Sequence, residues 1–161
     1  MNIEGKVAVV TGAGSGIGEG VSQELAKRGA KAVIMVDLQD HVFEVAKSIN
    51  ESVGTEVAVA KIGDTTDEGF RKKVYDDAIA DYGVVGICVP SAGITRDSLA
   101  VKIDKSTGKA EVYPIENFRK VTEVNLIAPI YWAVEMVARI AEDRNKRGLK
   151  RWEPEEEIQG T

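Results

Sequence analysis

The chain has one cysteine and one histidine among 161 residues, and no surplus of positive charge. A single thiol, Cys88, rules out an internal disulfide, and its place in an apolar run marks it as an inert buried side chain. The lone His41 has no partners at metal-ligand spacing, so no metal centre is expected. A net charge of −5 and a pI near 5.1 argue against a general binder of nucleic acid or of an anionic membrane, since neither attracts an acidic protein. No unbroken apolar run approaches the length of a membrane span, the N-terminus lacks a signal-peptide pattern, and there is no internal repeat. Together these absences read as a soluble protein of the reducing cytoplasm. An apolar content of 43% and a charged content of 29% suit one globular domain with a sizeable core.

What is present is alternation. Short β-branched runs at Lys6–Thr11, Ala32–Asp37, Glu56–Ile62 and Val84–Val89 predict buried parallel strands. Helical patterns lie between them at Gly16–Arg28, His41–Ser52 and Asp67–Tyr82, with Gly29, Gly54, Gly63-Asp64 and Gly83 at the joins. This order predicts right-handed βαβ units, an α/β fold whose parallel sheet is covered on both faces. After Gly93 a polar loop, Thr95 to Tyr113, holds Asp104 to Lys109 and predicts a small hairpin-like excursion. The longest helical pattern then runs from Ile115 to Arg144, apolar around most of its circumference, which predicts burial on more than one side. Pro129 inside it predicts a kink. The domain is read as 1–143, and the charged stretch 144–161 as a helix end running into a solvated linker.

The stretch from Val7 to Gly18 is the most informative. An apolar run ends in a glycine-rich turn, Thr11-Gly12-Ala13-Gly14-Ser15-Gly16-Ile17-Gly18, and a helix opens at once. That is the setting of a dinucleotide-binding loop: glycines admit the pyrophosphate close to the backbone, and the helix N-terminus offers it unpaired N–H groups. Asp37, with Leu38 beside it, ends the second strand 19 residues beyond Gly18, where such a fold sets an acid against the adenosine ribose. A carboxylate there accepts hydrogen bonds from both ribose hydroxyls and repels a 2′-phosphate, favouring NAD(H) over NADP(H).

With these residues in hand, the chain resembles the N-terminal part of a short-chain dehydrogenase/reductase. The likeness rests on the loop Thr11–Gly18, on Asp37, on Asp64 within Gly63-Asp64-Thr65, on Ser91-Ala92-Gly93 after the fourth strand, and on Asn125 in Val-Asn-Leu. The resemblance implies a Rossmann-type doubly wound sheet of order 3-2-1-4. It also implies that Asp64 contacts the adenine ring, that Ser91, Ala92 and Gly93 line the ribose–nicotinamide side, and that Asn125 is the asparagine of an Asn-Ser-Tyr-Lys catalytic set, holding a water in the proton relay. A secondary alcohol or ketone is the implied substrate, and a homo-oligomer formed through the 115–142 helix is the implied assembly.

Two departures stand out. Pro90-Ser91 takes the place of the family's usual asparagine pair, which predicts fewer side-chain ties between this loop and the neighbouring strand. The catalytic serine and the Tyr-x-x-x-Lys pair have no counterpart: four residues after Tyr75, Tyr82, Tyr113 and Tyr131 stand Ile79, Gly86, Asn117 and Glu135. The 161 residues therefore read as the cofactor half of a longer enzyme, inactive alone, or as a catalytically silent NAD-binding or regulatory module. Ala92-Gly93-Ile94-Thr95-Arg96-Asp97 resembles 3-oxoacyl thioester reductases, giving an alternative substrate class; Thr95 to Asp97 equally suits a turn with a local Arg–Asp pair.

Overall fold

The computed structural model describes residues 2–149, so the expected linker lies outside the described residues from position 150 onward. Four parallel strands form the central sheet: β1 (Val7–Thr11), β2 (Ala32–Asp37), β3 (Ala58–Ile62) and β4 (Val85–Pro90). Helices α1 (Gly16–Lys27), α2 (His41–Val53) and α3 (Glu68–Tyr82) connect them. The strand order β3-β2-β1-β4 is the one expected, and the chain reverses direction across the sheet between β1 and β4.

Strand residues alternate between two cores. Ala8, Val10, Val33, Met35 and Ile87 pack under Leu25 and Ala26 of α1 and Val42, Val45, Ala46 and Ile49 of α2. Val7, Val9, Ile34, Val36 and Val85 face the other way, onto Val74, Tyr75 and Ala78 of α3 and onto the last helix. Both faces being covered, the strands read in sequence as continuous apolar runs. The third strand begins at Ala58, two residues later than the run predicts. Buried Asn50 of α2 takes over the preceding backbone: its Oδ1 accepts the N–H groups of Val57 and Ala58, and its amide donates to the Ala58 carbonyl.

The excursion after Gly93 forms a hairpin, β5 (Val101–Ile103) paired antiparallel with β6 (Ala110–Val112). Arg96 donates to the Thr95 carbonyl and makes no pair with Asp97, which corrects the local ion pair allowed by the sequence. Beyond the hairpin the long helix has three parts: α4 (Ile115–Thr122), a wide π turn (Glu123–Ile127) and α5 (Ala128–Lys146). The π turn stands just before Pro129, which has no N–H to return to a carbonyl one turn back; the extra residue takes up the disruption read from sequence as a kink.

The helix is apolar around most of its circumference, yet among the described residues α5 buries only Ala128, Trp132 and Met136. Leu126, Ile130, Tyr131, Val134 and Val137 lie exposed on the far side, so the expected second buried side is bare here. The whole rod, Ile115–Lys146, is 32 residues, long and apolar enough by length and composition to cross a membrane. Counting unbroken apolar runs missed it, because charged residues such as Glu135 and Arg139 are dispersed along it. Both serve the packing of α5 on α3: Arg139 bridges Glu135 at 3.0 Å and Asp76 of α3 at 3.0 Å.

Trp132 anchors α5. Its indole is fully buried, stacks obliquely on Tyr75 at 5.7 Å and meets Phe70 edge-on at 6.4 Å. The indole N–H donates to the Thr65 carbonyl at 2.9 Å, and the Tyr75 hydroxyl donates to the Trp132 carbonyl at 2.8 Å. Burial pushes the Tyr75 phenol well above its ordinary pKa and also raises the Cys88 thiol, in keeping with an inert cysteine. Trp132→Ala should cost about 3–5 kcal/mol of stability, and Trp132→Phe, which strands the Thr65 carbonyl, about 1–3 kcal/mol. Urea unfolding of the purified chain checks this, with Val134→Ala on the exposed side expected to change stability by no more than about 0.5 kcal/mol.

Candidate functional site

The loops that follow the C-terminal ends of β1, β2, β3 and β4 converge where the strand order reverses, the place at which open α/β sheets form a ligand crevice. The glycine loop joins β1 to α1 and is held from two sides. On one side it meets the loop after β4 so closely that a Cβ on Gly12 would stand 2.7 Å from Cα of Ala92. A Cβ on Gly18 would collide with the Gly12 carbonyl and lie 2.8 Å from the Ser91 hydroxyl. Only glycine permits this crossing.

The crossing is also hydrogen-bonded. The Ser91 hydroxyl donates to the Thr11 carbonyl at 2.6 Å, and the Ala92 N–H to the Thr11 hydroxyl at 3.3 Å. Where the sequence predicts fewer side-chain ties than an asparagine pair would make, the serine supplies one to β1 through its own hydroxyl. Pro90 is in register with Thr11 at the end of the strand.

On its other side the loop meets Asp37. The Gly14 N–H donates to Oδ2 of Asp37 at 2.9 Å, while Oδ1 accepts the N–H of Gln39 at 3.1 Å. The Asp37 carbonyl accepts the N–H of Gly63 at 2.9 Å, which joins the β3 turn to the same point. In that turn Oδ1 of Asp64 accepts the N–H and the hydroxyl of Thr66 at 2.9 and 2.8 Å, and these bonds hold its carboxyl below the ordinary aspartate pKa. Thr65 is buried behind it, its carbonyl taken by Trp132.

At the far end of the crevice Gly93 faces the long helix; a Cβ there would lie 3.5 Å from Oδ1 of Asn125. The Asn125 side chain pairs with the backbone of one residue: Oδ1 accepts the Ile94 N–H at 2.9 Å and the amide donates to the Ile94 carbonyl at 2.8 Å. Pro129, four residues on, has no N–H for the Asn125 carbonyl.

The sequence-predicted residues thus form one connected lining, from Asp64 and Thr65 through Gly63, Asp37, Gly14 and Gly12 to Ser91, Ala92, Gly93 and Asn125. The residues present fit a dinucleotide. Gly16 has φ +58° and open space where a Cβ would be, so the backbone lies bare at the mouth of α1. Ser15 caps α1 without a side-chain bond, which leaves the first-turn N–H groups without a side-chain acceptor. Ile17 and Leu38 are 79% and 68% exposed, two large apolar side chains flanking the crevice with little covering them. Sequence reasoning missed Trp132 as a support of the β3 turn; a buried polar contact between distant elements leaves no periodic signal.

Residues 6–148 match the family described as short chain dehydrogenase. The chain is 36% identical over 103 residues to the 3-oxoacyl-[acyl-carrier-protein] reductase FabG of Escherichia coli, covering 64% of this chain and 40% of that protein. It is 33% identical over 138 residues to secoisolariciresinol dehydrogenase of Forsythia intermedia, covering 86% and 45% respectively. Among solved structures, a short-chain type dehydrogenase/reductase from Mycobacterium marinum superposes with a TM-score of 0.72 at 25% identity, over 88% of this chain and 53% of that one. The chain spans less than half the length of these two sequence relatives. It belongs to the short chain dehydrogenase family, oxidoreductases that work with a nicotinamide cofactor.

Proposed function

We propose that this chain is the cofactor-binding half of an NAD-dependent short-chain oxidoreductase that interconverts a secondary alcohol and a ketone. The observation that carries the reading is Asp37: its carboxylate lies against the glycine loop through Gly14, at the end of β2. A carboxylate has about four lone-pair positions, and two are used by Gly14 and Gln39, which leaves acceptor capacity for a ribose diol. A 2′-phosphate at the same place meets like charge.

When bound, the nicotinamide supplies or takes up the hydride. This chain orients it: Gly93 leaves room beside Asn125, and the glycine loop with the N-terminus of α1 receives the phosphates. With the Asn125 side chain bonded to Ile94, this reading gives its main-chain carbonyl the part in a proton relay, Pro129 four residues on having no N–H to offer it. The proton chemistry proper belongs to a serine and a Tyr-x-x-x-Lys pair supplied from outside these 161 residues. A second reading of the substrate, a 3-oxoacyl or 3-hydroxyacyl thioester, is supported by the Ala92–Asp97 segment and by the likeness to a protein named as a 3-oxoacyl reductase.

The bare side of the long helix, from the end of the π turn through α5, supports association with a second copy. Ile127, Ile130, Val134, Val137 and Ala141 recur at alternating steps of three and four, the spacing of a helix–helix seam, and all are exposed. Among the described residues β4 also has a neighbour on one side only, an open edge beside that helix.

Calorimetric titration should show NAD(H) binding more tightly than NADP(H). Asp37→Ala should narrow that gap and weaken NAD(H) roughly ten- to a hundredfold, as loss of a hydrogen-bonded charge implies. Equal or tighter NADP(H) binding by the unaltered chain removes the ribose role. The isolated chain should form no NADH from a panel of secondary alcohols; steady turnover contradicts its reading as a half. Light scattering should find dimers or larger species, and Ile130→Glu with Val137→Glu should shift them to monomer. A monomer mass at every concentration in the unaltered chain refutes the seam.

A further inference from the structure

The proposed cofactor role asks Asp37 only to meet a ribose. Its bonds in the folded chain do more. Oδ2 holds the Gly14 N–H at 2.9 Å and Oδ1 the Gln39 N–H at 3.1 Å, while the main-chain carbonyl holds the Gly63 N–H at 2.9 Å. One residue therefore fastens the glycine loop, the turn entering α2 and the turn leaving β3. Gly14 is shaped for this contact: a Cβ there would stand 3.0 Å from Oδ2, tighter than an ordinary van der Waals approach, so the side chain at 14 is absent where the carboxylate needs the space. The bond from Ala13 N–H to the Val36 carbonyl, 3.1 Å, brings the two strands' exits together but leaves Gly14 to the carboxylate alone.

We propose that the Asp37 carboxylate is a positioning group for the phosphate-binding loop, fixing Gly14 before any nucleotide arrives, in addition to meeting the ribose. An ionised acceptor makes this bond stronger than a neutral one would be. The other ties of the loop lie at Thr11, Gly12 and Ala13; from Gly14 to Gly16 its side chains are glycine and a serine that makes no side-chain cap. A preformed loop does not spend ligand affinity on its own ordering. Selectivity against NADP(H) then has a mechanical part beside the Coulombic one. Turning the carboxylate away from a 2′-phosphate releases Gly14, so relief of the repulsion is coupled to loss of the loop's anchor.

Amide exchange followed by NMR on the ligand-free 161-residue chain tests the clamp. The Gly14 and Gln39 amides should exchange slowly in the unaltered chain, and Asp37→Ala should speed both by roughly ten- to a hundredfold. Asp37→Asn has one carboxamide oxygen in place of two, so only one of the two amides should keep its protection. Unchanged exchange at Val9 and Val33 shows that each variant is folded. The ligand arm, which alone rests on the cofactor reading, compares ADP with 2′,3′-dideoxy-ADP by calorimetry. The dideoxy compound has no ribose diol for Asp37 to hold, yet Asp37→Ala should weaken it about tenfold through the loosened loop. A Gly14 amide that exchanges freely in the unaltered chain overturns the proposal, as does one whose rate Asp37→Ala leaves unchanged. Should the ADP-to-dideoxy-ADP gap close in Asp37→Ala while dideoxy-ADP affinity and Gly14 exchange stay put, the ribose role stands and the clamp fails. Faster Gly14 exchange with weaker dideoxy-ADP, but no ribose gap, upholds the clamp and removes the ribose role.

Discussion

The burial of one indole governs how the two ends of the crevice are held. Trp132 sits under the sheet with no exposed surface, and both of its polar connections reach other elements: its N–H goes to Thr65 in the β3 turn, and its carbonyl receives the Tyr75 hydroxyl from α3. A buried indole N–H without an acceptor is costly, so the side chain has one tolerable orientation, and that orientation sets α5 against the turn carrying Asp64. Asn125 lies two turns up the same rod. The spacing between the Asp64 end and the Asn125 end of the crevice is thus fixed from beneath, by packing under the sheet.

Above the sheet the organisation is different. Apolar contact gives way to main-chain approach, and side chains with one or two polar atoms take over the joining: Ser91 to Thr11, Asp37 to Gly14, Asn125 to Ile94. Each connects segments far apart in sequence. Small residues are required because the joined backbones come closer than a side chain would allow, at Gly12 against Ala92 above all. The result is a floor of exposed peptide groups between β1 and β4, suited to receive charge that the protein itself does not provide.

Much of this was legible in the sequence, for physical reasons. A parallel sheet buried on both faces leaves unbroken apolar runs, and β1, β2 and β4 were readable from them; glycine at the turns marked their ends. Asp37 was readable because strand length and helix length fix where the second strand stops. The start of β3 was not, since Asn50, eight residues before Ala58, accepts the backbone bonds that the run assigned to strand. Nor was the π turn, because helical spacing counts residues per turn and an extra one only shifts the phase. The tie made by Ser91 was hidden for a related cause: comparison with an asparagine pair asks whether a side chain is the same, whereas the bond asks only for a donor within reach of the Thr11 carbonyl.

The engagement of Asn125 has a bearing on how relatives are to be interpreted. Its amide presents an acceptor to one peptide N–H and a donor to the adjoining carbonyl, imitating a strand neighbour for Ile94. Aspartate would face that carbonyl with a second oxygen, and leucine would remove both bonds and leave the peptide groups of Ile94 to water. Asparagine at this position thus has a part in the architecture of the joint, whether or not chemistry occurs nearby. A homologue that had lost every proton-transfer residue would still be under pressure to keep it, so retention of the asparagine alone is no signature of a working enzyme.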